Sequence, residues 1–406
     1  MFNALYVDLN SYFASVEQQL RPALRDKPVG VLPVMAETTC CIAASIQAKR
    51  YKVKTGTAVW EARKRCPNII FVQARPSVYV EMHHRIVAAV ESCYPVSAVL
   101  SIDEMALDLT GRHQQEKHAF KLAQDIKKAI YREAGEVMHC SIGIAPNRFL
   151  AKTASNFKKP DGLEFIRPDE LPQQLFHLDL SDLNGIGPAM VRRLNKHGIE
   201  TVEQLCRASQ DTLHHAWGSV EGERYYAKLR GEVLPPMPTH RSTVSHSHVL
   251  PPDLRNDESA LAVLYRLLHK AAMRLRHYGY YAGGMGVHVR YRDDTRFRQH
   301  TRFAPHGDTL KLNATLSALW AQRPMDANEP TKIGVTLFDL AEEKCISRDL
   351  FDTETQHEGL DIAVDQINRR FGNSAIYYGG AHKGRGSAPM RIAFNHIPEL
   401  RLESDA

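Results

Sequence analysis

The chain has 406 residues, 43% of them hydrophobic, with a formal net charge of +6, enough for several small cores and a soft expectation of about two to four domains. No apolar run approaches the roughly 20 residues of a membrane span, and the first residues start a strand and not a signal peptide, so a soluble cytoplasmic protein without a membrane partner is expected. Seven scattered cysteines without a C-x-x-C pair argue against a zinc site or a disulfide framework, and so mild a charge does not by itself mark a nucleic-acid protein.

The run from Ala4 to Asn10 is short and apolar and reads as a strand that ends on a carboxylate, Asp8. The next segment reads as a helix from about Ser11, capped by Asn10 or Ser11, which places Tyr12 and Phe13 beside Asp8. Apolar runs at Val29 to Leu32 and Cys41 to Ala44 are followed by helical patterns at Val78 to Cys93 and Glu116 to Ala134, with strands expected near 99 to 109 and 138 to 145. This alternation is compatible with a ferredoxin-like split βαβ core.

The pair Asp103 and Glu104 interrupts the apolar, β-prone stretch from Val99 to Leu109, and charge there is costly to bury without compensation. If the strands at 4 to 10 and 99 to 109 are neighbours, Asp8, Asp103 and Glu104 converge. Three carboxylates at neighbouring strand ends make an oxygen-only site suited to Mg²⁺ and to two-metal phosphoryl or nucleotidyl transfer. The alternative is that Asp103 and Glu104 cap a loop and Asp8 starts a helix.

From about residue 167 the chain becomes helical and polar. The Gly-Ile-Gly turn at Gly185 and Gly187, followed by Arg192, Arg193 and Lys196, reads as a helix-hairpin-helix whose backbone N–H groups can hold a phosphate. Clustered prolines from Pro235 to Pro238 mark a linker. Beyond it, period two places His288, Arg290 and Arg292 on one strand face and Val287, Val289 and Tyr291 on the other. After a turn at Asp293 and Asp294, Arg296, Arg298, His300 and Arg302 alternate with Phe297 and Phe303. Residues 286 to 303 hold five arginines against two aspartates, half of the chain's formal net charge, as expected of a sheet face that tracks a phosphate backbone. The tail contains a helix by period from Leu360 to Phe371.

The segments Asp8 to Glu17 and Ser101 to Asp108 resemble those of the Y-family translesion DNA polymerases. Cys140 to Ser155, Lys158 to Gly162 and Leu183 to Pro188 follow in the family's order and approximate spacing, so the resemblance spans roughly residues 1 to 340. It implies an α+β, right-hand polymerase: a ferredoxin-like palm (1–10 and 75–166), small fingers (11–74), a helical thumb with the helix-hairpin-helix (167–234), a linker (235–241), an α/β little finger (242–341) and a C-terminal extension (342–406). Residues 374 to 380 resemble the extension of the bacterial polymerase V catalytic subunit, the branch the chain is expected to join.

The implied activity is low-fidelity, template-directed DNA synthesis for lesion bypass in DNA repair and SOS mutagenesis. A primer 3′-hydroxyl attacks the α-phosphate of a deoxynucleoside triphosphate (dNTP) and pyrophosphate leaves. The resemblance makes Asp8, Asp103 and Glu104 catalytic, with the Leu9 carbonyl joining them in holding two Mg²⁺ ions, for which Mn²⁺ can substitute. Phe13 falls at the steric-gate position that excludes a ribose 2′-hydroxyl, backed by Tyr12, and Lys159 is placed to pair with the β- or γ-phosphate. The family's triphosphate-binding Tyr and Arg in the fingers are Ile46 and Lys49 here; Arg50 or Lys52 could take their place. Gly185, Gly187, Arg192, Arg290, Arg292, Arg296 and Arg298 are the expected contacts to primer-template DNA. A sliding clamp is an expected partner through a degenerate motif at Leu350 and Phe351, as are SOS accessory proteins, with a nucleoid association on DNA. No P-loop suggests an ATPase motor. Two other readings stay open: a Y-family scaffold that binds DNA and mutagenesis partners with weak or no catalysis, and a helix-hairpin-helix nuclease using the same carboxylates.

Overall fold

The computed structural model describes residues 1–237, 240–346, 356–372, 375–389 and 397–399. They divide chiefly into two compact units, Met1–Met237 and Pro238–Arg391. In the first unit a five-stranded sheet is built around β1 (Ala4–Leu9), every residue of which is buried, as expected of a central strand with an almost continuous apolar run. After α1 (Tyr12–Leu20) come a small lobe with β2 (Val29–Leu32), β3 (Ala43–Ala44), α2 (Ile46–Lys49), α3 (Val59–Arg65) and β4 (Ile70–Gln73), then α4 (Pro76–Glu91). The lobe's strands form their own sheet in the order β3-β2-β4, over a core that includes Val53, Val59, Ala62 and Cys66.

The chain then returns to the main sheet with β5 (Ala98–Val99), β6 (Glu104–Asp108), α5 (Glu116–Ala134), β7 (Cys140–Ala145), α6 (Arg148–Ser155) and β8 (Leu163–Phe165), giving the order β5-β6-β1-β7-β8. β1 is antiparallel to both neighbours, and Asp8 stands opposite Glu104 on one side and Ser141 on the other. The apolar period of α5 buries Ala119, Leu122, Ala123, Ile126 and Ile130. On α6, Asn147 caps the N-terminus by accepting the Leu150 N–H at 2.9 Å. A Cβ on Gly143 of β7 would stand 1.9 Å from the Ala151 carbonyl oxygen, so only glycine lets α6 lie this close to the strand.

Four short helices follow: α7 (Pro188–Lys196), α8 (Val202–Arg207), α9 (Gln210–Trp217) and α10 (Glu221–Leu229). The element before the Gly-Ile-Gly turn is a single 3₁₀ turn, Leu180–Asp182, where the sequence suggested a helix on each side.

The second unit consists of β9 (Thr243–Val249), α11 (Asp257–His277), β10 (Tyr280–Tyr291), β11 (Arg296–His306), α12 (Thr309–Trp320), β12 (Pro330–Glu342) and α13 (Gln356–Phe371). Its sheet runs β11-β10-β12-β9, and α11 and α12 cover the apolar face carrying Val287, Val289, Tyr291 and Phe297. The hairpin alternates as the period requires, with His288 opposite Arg298 and Arg290 opposite Arg296. Arg292 departs from its expected row: it lies past the end of β10, in the turn, with Nη1 3.2 Å from Glu329 Oε2. The tail helix starts at Gln356, about a turn before the expected Leu360. Arg276 on α11 meets Asp365 of α13 through Nε at 2.8 Å and Nη2 at 2.9 Å. Leu350 and Phe351 lie outside the described residues.

Candidate active site

Asp8 sits at the open end of β1 beside Glu104, the first residue of β6. Asp103 lies in the bend just before β6; its carbonyl accepts the Leu9 N–H at 2.9 Å and its Oδ1 accepts the Ser101 hydroxyl at 2.6 Å. All three acids border one cavity of about 410 Å³, together with Leu9, Tyr12, Phe13, Lys49, Thr55, Lys152 and Lys159. The sequence thus identified the acids that meet. Leu9, Tyr12, Phe13, Lys49 and Lys159, also named from the sequence, line the same cavity, whereas Lys152 and Thr55 were not singled out.

Lys159 Nζ stands 2.6 Å from Asp8 Oδ2, and Lys152 Nζ lies 2.8 Å from both oxygens of Glu104. The Tyr6 hydroxyl donates to Glu104 Oε2 at 2.8 Å. Burial, reinforced by the neighbouring acids, pushes the Asp8 and Asp103 carboxyls above the ordinary carboxylate range; Lys159 opposes this at both. At Lys49 partial desolvation and then the Lys159 charge hold the ammonium below its usual pKa, while Asp8 and Asp103 draw it up.

Among the described residues no three acidic, imidazole or thiol groups close into a ready metal-ligand set. Two of the three acids, Asp8 and Glu104, are held by ammonium groups. The donors nonetheless suit a hard divalent cation, being carboxylate oxygens with the Leu9 backbone beside them. Two of them accept cationic charge in this structure.

Tyr12 and Phe13 open α1 as expected, but the cap does not form. Ser11 has a left-handed φ of 51° and makes no side-chain cap bond. Asn10 instead donates to Ser141 Oγ at 3.0 Å and accepts the Asp161 N–H at 2.7 Å, tying the end of β1 to the loop that carries Lys159. The Phe13 ring stacks on Tyr79 at 4.6 Å with planes 14° apart, and the Tyr12 hydroxyl donates to the Tyr79 carbonyl at 2.7 Å. Tyr79 in turn donates to Glu17 Oε1 at 2.8 Å, and Arg75 grips the same carboxylate at 3.0 and 2.8 Å. Tyr6, Tyr79 and Lys152 are the site residues that sequence reasoning missed.

The remaining sequence candidates lie elsewhere. Gly185 turns the chain with a φ of 88°, Gly187 precedes α7 without a side-chain cap, and Arg192 is exposed on that helix. In the second unit Arg290 is bound to Asp294, whereas Arg296 and Arg298 are exposed without a carboxylate partner among the described residues.

Comparison with known proteins decides the family. The profile of the impB/mucB/samB family matches residues 7–156, its C-terminal domain matches 241–350, and a SAM-like helix-hairpin-helix tandem matches 178–218. A DNA polymerase IV of Moorella thermoacetica is 32% identical over 391 residues, 94% of this chain and 96% of that protein. The chain belongs to the Y-family DNA polymerases. DNA polymerase IV 1 of Halalkalibacterium halodurans is 29% identical over 92% of each chain. A solved Y-family polymerase chimera of Dbh and Dpo4 superposes with a TM-score of 0.70 at 25% identity, over 84% of this chain and all of the chimera. An insertion ternary complex of Dbh DNA polymerase does so with a TM-score of 0.55 at 25% identity. The α+β Y-family polymerase fold and the translesion DNA polymerase class expected from the sequence therefore hold, and the scaffold reading is not favoured. The relatives are polymerases IV, which supports that branch over the polymerase V branch suggested by the tail. Among the described residues of this polymerase no helix is long and apolar enough to cross a membrane.

Proposed function

We propose that this polymerase extends a DNA primer at the cavity bordered by Asp8, Asp103 and Glu104, using dNTPs and a primer-template, and that it works as a polymerase IV-like enzyme. The observation that carries the reading is the meeting of three acids, three lysines and a buried aromatic gate in one cavity. Asp8, Asp103, Glu104 and the Leu9 carbonyl would hold two Mg²⁺ ions, or Mn²⁺ in their place. When bound, such ions lower the pKa of the primer hydroxyl and neutralise charge that grows on the transferred phosphate.

The chain's own residues supply the rest. Lys159 exchanges its bond to Asp8 for the triphosphate, and Lys49 adds a second cation on the nucleotide side without the planar fork of an arginine. Phe13, 5% exposed and backed by Tyr79, presents a flat wall to the sugar that leaves no room for a 2′-hydroxyl. Gly185, Gly187 and Arg192 hold phosphates of the duplex, as do Arg296 and Arg298; Arg290 and Arg292 contribute less because Asp294 and Glu329 engage them. Sliding-clamp docking through Leu350 and Phe351, SOS accessory partners and a cytoplasmic, nucleoid-associated location belong to the same proposal.

Primer extension with single nucleotides, in deoxy and ribo form, tests it. Wild type extends with Mg²⁺, Asp103→Ala loses extension while retaining DNA binding, and Phe13→Ala admits ribonucleotides. Extension that survives in Asp103→Ala, or is absent from wild type with either metal, overturns the assignment.

A further inference from the structure

Residues 46 to 65 carry seven cations against one acid, a net +6 equal to the formal charge of the whole chain. They form α2, the turn after it and α3. Arg63 is tied to Glu37 at 3.0 Å and Arg65 to Glu61 at 2.7 Å. Arg50, Lys52, Lys54 and Lys64 are exposed and have no carboxylate partner among the described residues. Set among these cations are two large rings in water, Trp60 at 64% and Tyr51 at 52% exposure.

The lobe's packing fixes this outward display. Val53, Val59, Ala62 and Cys66 face the core, which leaves Trp60, Arg63 and Lys64 at i, i+3 and i+4 on the opposite face of α3. Arg65 Nη1 donates to the Lys52 carbonyl at 2.6 Å and joins the end of α3 to the turn carrying Tyr51. The surface is continuous with the active-site cavity, because Lys49 and Thr55 from the same segment line that cavity.

We propose that this face is a platform for the unpaired template strand, with Trp60 and Tyr51 stacking on bases and Arg50, Lys52, Lys54 and Lys64 facing phosphates. Cations alone would serve a duplex, whose base faces are hidden. Exposed rings between cations fit a single strand, where every base offers a π face. The inference rests on the reading that the cavity extends a primer, since the unpaired strand entering such a site is the template.

The test measures binding of labelled primer-templates that share one duplex and differ in the unpaired template: a single-nucleotide overhang against one of about eight nucleotides. Wild type binds the long overhang about fivefold or more tightly, Trp60→Ala abolishes the difference, and Trp60→Phe keeps part of it. Tryptophan emission gives a second readout, because Trp320 is 5% exposed and Trp217 is stacked on Tyr225 at 4.7 Å, leaving Trp60 as the solvent-facing indole. The long overhang quenches emission in wild type and not in Trp60→Phe. Equal wild-type affinity for both overhangs overturns the proposal, as does an equal loss for both in Trp60→Ala. A change confined to the KM for dNTP would assign the face to the triphosphate, and a change in sedimentation alone would assign it to self-association; either refutes the platform. Wild-type extension on the single-nucleotide overhang reports separately on the polymerase reading, which stands if extension occurs while the platform fails.

Discussion

Arg75→Ala tests how Phe13, the proposed sugar gate, is held. Glu17 is fully buried, and its carboxylate takes two bonds from Arg75 and one from the Tyr79 hydroxyl, with Arg21 Nε further off at 3.4 Å. Breaking a buried ion pair from one side costs about 3–5 kcal/mol, because the remaining charge is left uncompensated. Here the Arg75 side chain is 34% exposed and Arg21 can move in, so solvent and a substitute partner reduce the cost to about 2–3 kcal/mol. For a unit of this size that corresponds to a thermal shift of about 5–10 °C. Glu17 is then less firmly placed as the acceptor of the Tyr79 hydroxyl, and the stacked Phe13 loses part of a contact worth about 0.5–1.5 kcal/mol. Ribonucleotide incorporation relative to deoxynucleotide should therefore rise by about 2- to 10-fold. Thermal unfolding and competitive single-nucleotide extension read the two effects. An unfolding midpoint within about 1 °C of wild type would refute the energetic argument. A lowered midpoint with unchanged sugar discrimination would show that the Tyr12 bond to the Tyr79 carbonyl alone holds the gate.

Three further outcomes are expected. Arg296→Ala combined with Arg298→Ala should reduce the slope of log affinity for DNA on log salt by about two, and Arg290→Ala by less because Asp294 already engages it; titrations across salt concentrations measure this. Burial lowers the pKa of His269 to about 4, against the Asn313 bond that raises it, so the folded unit keeps this ring neutral while the unfolded chain protonates below about 6.5. Stability of the second unit should hence fall as pH drops from 6.5 to 4, by about 3 kcal/mol in the limit, and His269→Gln should flatten that slope in acid-unfolding curves. Arg276→Leu removes the cation paired with the buried Asp365, while Asp361 keeps its bonds from the Thr309 N–H and the Tyr378 hydroxyl, and should destabilise the packing of α13 on α11 by about 3–5 kcal/mol, seen as faster amide exchange in α13.

The acids were legible because charge in an apolar strand needs an explanation, and antiparallel pairing of β1 with β6 brings Asp8 opposite Glu104. The β10–β11 hairpin was legible for a similar reason, since period two separates arginines from core residues; the end of β10 is what displaces Arg292. Lys152 gave no such signal, because a lysine on a helix is by default solvated, and only the approach of α6 allowed by Gly143 brings it to Glu104. Tyr79 was equally silent: its partner Glu17 is 62 positions away, and no local pattern reports a bond across that distance. The missing cap at Ser11 reflects a backbone turned left-handed where Asn10 is committed to β7 and the Lys159 loop.

The ammonium groups on Asp8 and Glu104 act as built-in counter-ions. If the proposed ions bind here, their entry at Asp8 and Glu104 would be an exchange with these ammonium groups and not the filling of an anionic hole. Each lysine displaced becomes available to a polyanion, and reciprocity requires that a triphosphate strengthen metal binding by the same factor by which metal strengthens triphosphate binding. Mn²⁺ titration followed by electron paramagnetic resonance, with and without an unreactive triphosphate, would expose that coupling; equal affinity in both would mean the lysines do not trade partners. On the proposed reading, metal and nucleotide would then assemble this site together, each making room for the other.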